Sequence, residues 1–148
     1  MTTANGDGNA TFQETTLDNG MWVLTSQMEH TRSVSISVYV GVGSRYEPDD
    51  RAGISHLVEH LVFKGTEKRP TPAEISGAVE GVGGMMNAST EQEMTAYWCT
   101  VARPYLPETL DLLIDMLRNS VLDPGEVERE RLVVVEEQNM INDFPNQK

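Results

Sequence analysis

The chain carries a single cysteine, Cys99, in 148 residues. An internal disulfide is therefore excluded, and a reducing compartment fits. Cys99 falls in a predicted strand, where a lone thiol reads as a small buried hydrophobe rather than a nucleophile. Basic residues are scarce as well. Eleven Lys and Arg stand against 23 Asp and Glu, a net charge of −12. That balance argues against nucleic acid or an anionic membrane as partner and makes basic peptides the more natural guests, although it would equally serve solubility alone. No apolar run approaches a membrane span. No Lys or Arg precedes Arg32, so neither a signal peptide nor an Arg-rich transit peptide is visible, and the expected setting is cytoplasmic and prokaryotic. Histidine is the rarest of the metal-binding side chains after cysteine: there are three, and two of them are His56 and His60.

What is present reads as an α+β fold, an antiparallel-rich sheet with helices layered on it. Residues 1–10, rich in Gly, Asn and Thr, read as a flexible tail. Phe12–Thr16 and Met21–Met28 read as strands joined by Leu17-Asp18-Asn19-Gly20, whose Asn-Gly pair is a strong turn signal. Val34, Ile36, Val38, Val40 and Val42 alternate with polar or small residues, as in a half-buried strand. Thr71-Pro72-Ala73-Glu74 is a capping box with proline at the first helical position, predicting a helix to about Glu80 with Ile75, Ala78 and Val79 inward. Met85–Thr90 and Thr95–Val101 read as strands. A third helix from Pro107 is marked by Leu110, Leu113, Ile114 and Leu117, and a last one runs from about Glu126 to Ile141. No repeat and no interdomain linker is apparent.

The chemistry concentrates in Gly53-Ile54-Ser55-His56-Leu57-Val58-Glu59-His60-Leu61-Val62-Phe63-Lys64-Gly65-Thr66. Read as a helix ended by Gly65, it has one apolar stripe of Ile54, Leu57, Val58, Leu61 and Val62, with His56, Glu59 and His60 on the other side. Two imidazoles at i and i+4 can close on one divalent metal, and the carboxylate at i+3 stands beside it without being forced to bind. This HxxEH order is the inverse of the HExxH zinc-peptidase helix. Packing needs none of the three residues.

A catalytic zinc commonly takes three protein ligands and leaves a position open. His30 sits in a polar turn and is set aside. The last helix offers Glu130 and Glu137, two turns apart on a face shared with Val127, Val133, Val134, Met140 and Ile141. Glutamates in an apolar stripe need compensation, from a cation or from buried arginine partners. Helical phase selects Glu137 as third metal ligand and Glu130 as the acceptor that orients a ligand histidine, with Glu136 an ordinary solvated charge. Glu59 is then placed as general base toward a metal-activated water and as proton donor to a leaving amine, which is peptide-bond hydrolysis. Zinc, one per chain, suits a His/His/Glu set best; manganese and cobalt would also fit.

Together these residues closely resemble the pitrilysin-type zinc metallopeptidases, the family of mitochondrial processing peptidase and its bacterial homologues. The resemblance runs over nearly the whole chain, from Leu17-Asp18-Asn19-Gly20 and Gly41-Val42-Gly43-Ser44-Arg45, through His56-Leu57-Val58-Glu59-His60 with Phe63-Lys64-Gly65-Thr66, to Gly83-Gly84, Asn87-Ala88 and Glu128-Arg129-Glu130-Arg131 before Glu136-Glu137. It implies a zinc endopeptidase of oligopeptides or unfolded segments, with the third ligand at Glu137 and its supporting glutamate at Glu130. It also implies that peptide adds as a strand along the edge Asn87-Ala88-Ser89-Thr90, with Asn87, Ala88 and Ser89 binding it.

Such enzymes have domains of about two hundred residues, in pairs or larger sets around a chamber. Residues 11–148 are accordingly expected to be the N-terminal zinc-binding portion of an incomplete domain. Its partners would be the remaining domains of the same enzyme, or a homologous subunit, together with the peptide substrate. The alternative is a non-catalytic interaction subunit or inactive fragment of the same fold. Inactive halves typically lack the HxxEH motif, which is intact here.

Overall fold

The computed structural model describes residues 2–5 and 10–143. They fall into two compact units, one ending at Arg32 and the other beginning at Ser33. The first holds β1 (Thr2–Asn5), β2 (Ala10–Thr16) and β3 (Trp22–Met28), an antiparallel sheet in that order. The β2–β3 hairpin closes where the Asn-Gly signal lies: the Leu17 amide donates to the Met21 carbonyl, the Met21 amide to Asn19 Oδ1, and Gly20 takes φ 83°. The segment read as a flexible tail contains β1, paired with β2 from Thr2 opposite Glu14 to Asn5 opposite Thr11. Its threonines are good strand formers, which a composition-based reading undervalues. Residues 6–9 of that tail lie outside the described residues.

The second unit begins with β4 (Ser33–Val40). It continues through α1 (Ile54–Leu61), α2 (Pro72–Glu80), β5 (Met85–Thr90), β6 (Thr95–Ala102), α3 (Leu106–Asn119) and α4 (Pro124–Asp143). The sheet is antiparallel with order β4-β6-β5, Cys99 standing between Ile36 and Met86. Alternation puts Val34 and Ile36, Tyr97, Cys99 and Val101, and Met86 and Ala88 on one face. Val62, Ile75, Val79, Leu112, Leu113 and Met116 from the helices complete the core against it. This is the α+β layering expected from the sequence. Cys99 is fully buried, the small hydrophobe it was read as.

The helices follow their predicted spans better than their predicted faces. In α3, Leu110 and Ile114 are exposed while Thr109, Leu112, Leu113 and Met116 are buried, because Leu112 and Met116 shift the stripe by about one residue. In α2, Ala78 is exposed beside buried Ile75 and Val79. In α4, Glu130 and Val134 are buried and Val127 is half-buried, whereas Val133 and Met140 are exposed; the side chain of Ile141 lies outside the described residues. At 100° per residue, Val133 and Met140 fall to one side of the line through 127, 130, 134 and 137. Finally, α1 stops at Leu61 rather than running to Gly65. The Phe63 and Lys64 amides bond back to the His60 and Leu61 carbonyls in a tightened last turn.

That early stop is held by a buried polar knot. Ser120 Oγ donates to the Leu61 carbonyl, and Thr66 bridges to Ser120. Thr66 Oγ1 and Arg69 Nη1 both donate to Asp115 Oδ2 at 2.7 Å, and Asn119 donates to its other oxygen. Hydrogen bonds from Asn119 and Thr66, aided by Arg69, outweigh burial and hold the Asp115 carboxyl below the usual carboxylate range. A depressed carboxyl stabilises the fold fully above its unfolded value and loses that contribution as pH falls through the native one. Asp115→Asn should therefore cost about 3 kcal/mol at pH 7, with Arg69 losing a buried partner. In urea melts the gap between wild type and variant should narrow as pH falls below about 4. A gap independent of pH would contradict the role given to this carboxylate.

Candidate metal centre

With only eight residues, α1 depends on what holds its ends. Its N-cap, Gly53, adopts the left-handed φ of 92° and has no side chain to cap with. Glu47 supplies the missing acceptor, its carboxylate taking the Gly53 amide at 2.6 Å and the Ser55 amide at 2.7 Å. Burial pushes the Glu47 carboxyl up, but hydrogen bonds from Ser55 and Gly53 prevail and hold it below its ordinary value. The 3₁₀ turn Ser44–Tyr46 after β4 is fastened too: Ser44 and Arg45 amides bond the Glu91 and Gln92 carbonyls of the β5–β6 turn. Gly43 allows that approach, since a Cβ there would collide with the Glu91 carbonyl oxygen.

On this fixed helix the i,i+4 spacing brings His56 and His60 edge to face, ring centroids 4.7 Å apart and Nε2 to Nε2 3.2 Å. Helix α4 packs against α1 and delivers Glu137, whose Oε2 lies 3.4 Å from His56 Nε2 and 3.6 Å from His60 Nε2. One donor atom from each residue lies within 4.8 Å of the others, and all three residues are half-buried. Among the described residues this is the one such group of His, Cys, Asp or Glu. Glu136 is exposed and outside it, and His30 is exposed in the turn after β3.

Glu130 meets the back of His60, with Oε2 3.0 Å from Nδ1, while Lys64 Nζ stands 2.7 Å from the other carboxylate oxygen. Burial raises the Glu130 carboxyl, but Lys64 and His60 outweigh it and keep it ionised below its usual range. A carboxylate can only accept, so His60 Nδ1 carries the hydrogen toward Glu130 and Nε2 is the nitrogen that faces the cluster. Two imidazole nitrogens and a carboxylate oxygen facing one another at these distances need a proton or a cation between them. The donor set, borderline nitrogen with one hard oxygen, suits zinc. The residues present fit that metal.

Glu59 is not one of the three grouped residues and accepts a hydrogen bond from Thr90 Oγ1 at the end of β5. Its charge lies near Tyr97, whose hydroxyl is pushed up to about 12 by burial and then by Glu59. Glu59 and His60 also border a cavity of about 350 Å³ that extends toward α2 and β5. Strand β5 pairs only with β6 among the described strands, leaving the edge with Asn87, Ala88 and Ser89 free. Asn87 is exposed; Ala88 and Ser89 are half-buried.

A sequence model of the insulinase family, peptidase family M16, matches residues 22–148. The chain belongs to that family. It is 41% identical over 127 residues to the mitochondrial-processing peptidase subunit beta of Dictyostelium discoideum, covering 86% of this chain and 27% of that protein. It is 39% identical over 138 residues to an uncharacterized zinc protease of Streptomyces coelicolor, covering 93% and 30%. Among solved structures, a protease from Helicobacter pylori superposes with TM-score 0.87 at 31% identity, over 95% of this chain and 34% of that one. Pitrilysin does so with TM-score 0.80 at 34% identity, over 90% and 14%. This chain thus spans about three-tenths of the length of these curated M16 relatives. Relatives named zinc proteases make zinc the family's metal. No described helix is long and apolar enough to cross a membrane.

Three contacts of this centre had no counterpart in the sequence reading: Lys64 with Glu130, Glu47 with the start of α1, and Thr90 with Glu59. Lys64 could have been found, because it lies four residues after His60 on the same helical side. Glu47 had a weaker signal: a helix starting after glycine, with no side chain at its cap, must find an acceptor elsewhere. Nothing local marks Thr90, which reaches Glu59 only through the fold. Glu47→Ala should cost about 2 kcal/mol, the value of two charge-assisted hydrogen bonds in part offset by water. Chemical denaturation checks this, and a loss under half a kilocalorie per mole would show that α1 starts without that carboxylate.

Proposed function

We propose that His56, His60 and Glu137 hold one zinc ion and that this chain is the catalytic portion of a zinc endopeptidase acting on oligopeptides or unfolded segments. The observation that carries the reading is the convergence of three donor atoms from α1 and α4, with His60 turned toward the cluster by Glu130. A zinc ion held there supplies Lewis acidity toward water and toward a peptide carbonyl. Glu59, one residue before a ligand but outside the ligand set, takes the proton of the attacking water and passes it to the leaving amine. Thr90 holds that carboxylate by a hydrogen bond at the cavity that Glu59 and His60 both line. Glu130 fixes His60 and is itself kept ionised by Lys64.

The substrate lies as an added strand along the free edge of β5, at Asn87, Ala88 and Ser89. Main-chain hydrogen bonds of that kind read no side chain, which suits a broad range of unfolded guests. The rest of the enzyme, or a homologous partner subunit, completes the chamber. In support, the Dictyostelium relative is named as a subunit and the chain spans a minor part of each relative. We place the enzyme in a prokaryotic cytoplasm on the strength of bacterial relatives; relatives named mitochondrial make a mitochondrion the competing setting.

The test separates the roles. Glu137→Gln should weaken zinc binding by more than about 100-fold, beyond the loss typical of an outer partner, while Glu136→Gln should leave it unchanged. Glu59→Gln should keep its zinc and lose about a thousandfold of zinc-dependent cleavage of an unfolded polypeptide. Calorimetric zinc titration and a fluorescent peptide assay give both readings. Zinc loss in the Glu136 variant, or full turnover without Glu59, would overturn the assignment.

A further inference from the structure

The spacing of α1 does not by itself keep Glu59 out of the metal centre. Glu59 follows His56 by three residues and directly precedes His60, so its side chain starts on the flank of the imidazole pair. A glutamate side chain is flexible and ends in a hard anionic oxygen, a donor that can fill a fourth position on zinc. Yet Glu59 is not among the three grouped residues, whose donor atoms lie within 4.8 Å of one another. A restraint from outside the helix accounts for this.

Thr90 supplies it. Among the described residues, its hydroxyl is the one hydrogen-bond partner of the Glu59 carboxylate. The Tyr97 hydroxyl, raised first by its own burial, also feels the Glu59 charge. Both of these groups belong to the sheet, whereas Glu137 reaches the imidazoles from α4. Thr90 is itself held in place. It ends β5 opposite Thr95 of β6, and the Thr95 hydroxyl donates to the Val42 carbonyl at 2.9 Å. The turn that follows is pinned by the amides of Ser44 and Arg45. A β-branched side chain is stiff at χ1, so a fixed backbone here fixes the hydroxyl as well.

We propose that Thr90 is a positioning residue that sets the number of protein ligands at this centre. By holding the Glu59 carboxylate at the end of β5, it limits the metal to His56, His60 and Glu137 and keeps a fourth position open. Four protein ligands close a zinc site and make it structural, whereas three leave it open for chemistry. One hydroxyl from the sheet thus decides between two uses of the same helix. The inference rests on the metal centre proposed above and adds the reason that Glu59 stays available as a base.

The test is a double-mutant cycle read in metal affinity and in a visible spectrum. Its variants are T90V, which keeps the shape and removes the hydroxyl, T90S, which keeps the hydroxyl, and E59Q. Zinc has a filled d shell, so cobalt(II) chloride is titrated into the metal-free chain and followed by its absorption, which reports coordination geometry. Acetohydroxamate then probes the open position. E59Q alone should leave cobalt affinity within about twofold of the wild type, and acetohydroxamate should alter the wild-type spectrum. T90V should bind cobalt about tenfold more tightly and lose the response to acetohydroxamate, and adding E59Q to it should reverse both changes. T90S should behave as the wild type. Wild-type affinity and response in T90V, or changes that persist in the T90V/E59Q double variant, would overturn the proposal. So would weakened binding by E59Q alone, a comparison that needs no Thr90 variant to fold. Each of those results leaves the metal centre in place. A wild-type chain that binds no cobalt would remove the centre itself, and this inference with it.

Discussion

The arrangement turns on one carboxylate, Glu130, shared between Lys64 at 2.7 Å and His60 at 3.0 Å while almost out of water. Burying a charge in an apolar helix face is costly unless it is both paired and hydrogen-bonded, and here it is both. The pair crosses between helices, joining α4 to α1. The same helix contact sets the distance of Glu137, two turns further along α4, from the two imidazoles. Removing this contact would therefore disturb the third donor as well as the tautomer of the second.

Helix α1 is the least self-sufficient element of the unit it serves. It is eight residues long, begins at a glycine and ends one turn before its sequence pattern does. Glu47 holds its first amides and Ser120 its last carbonyl, so a donor and an acceptor from distant segments replace the missing length. Below it, the β4-β6-β5 sheet and the buried faces of α2 and α3 provide the apolar floor. Rigidity at the centre thus comes from the surroundings of α1 rather than from helix propensity, which is weak over so few residues.

Much of this was legible in the sequence because it rests on local spacing. The i,i+4 histidines, the capping box at Thr71 and the alternation of Val34, Ile36 and Val38 in β4 are all short-range patterns, and the helix, the cap and the strand appear where the spacing put them, while Val40 and Val42 are exposed. The phase of α4 also selected Glu137 over Glu136 for the cluster, even though Val133 and Met140 proved exposed. What escaped was long-range or depended on tertiary tightening. Thr90 meets Glu59 across 31 positions of sequence, Glu47 replaces a cap that Gly53 cannot provide, and the stop at Leu61 is imposed by Thr66, Asp115 and Ser120. The strand at Thr2–Asn5 was hidden by composition, since short threonine-bearing strands resemble loose tails until a partner is found.

The central claim is that the metal donors are already brought together within this chain. Elemental mass spectrometry on the 148-residue polypeptide, purified without chelator and dialysed against zinc-free buffer, tests it most directly. The account predicts close to one zinc per chain. A chain that folds with the helices described and yet retains no zinc would contradict it.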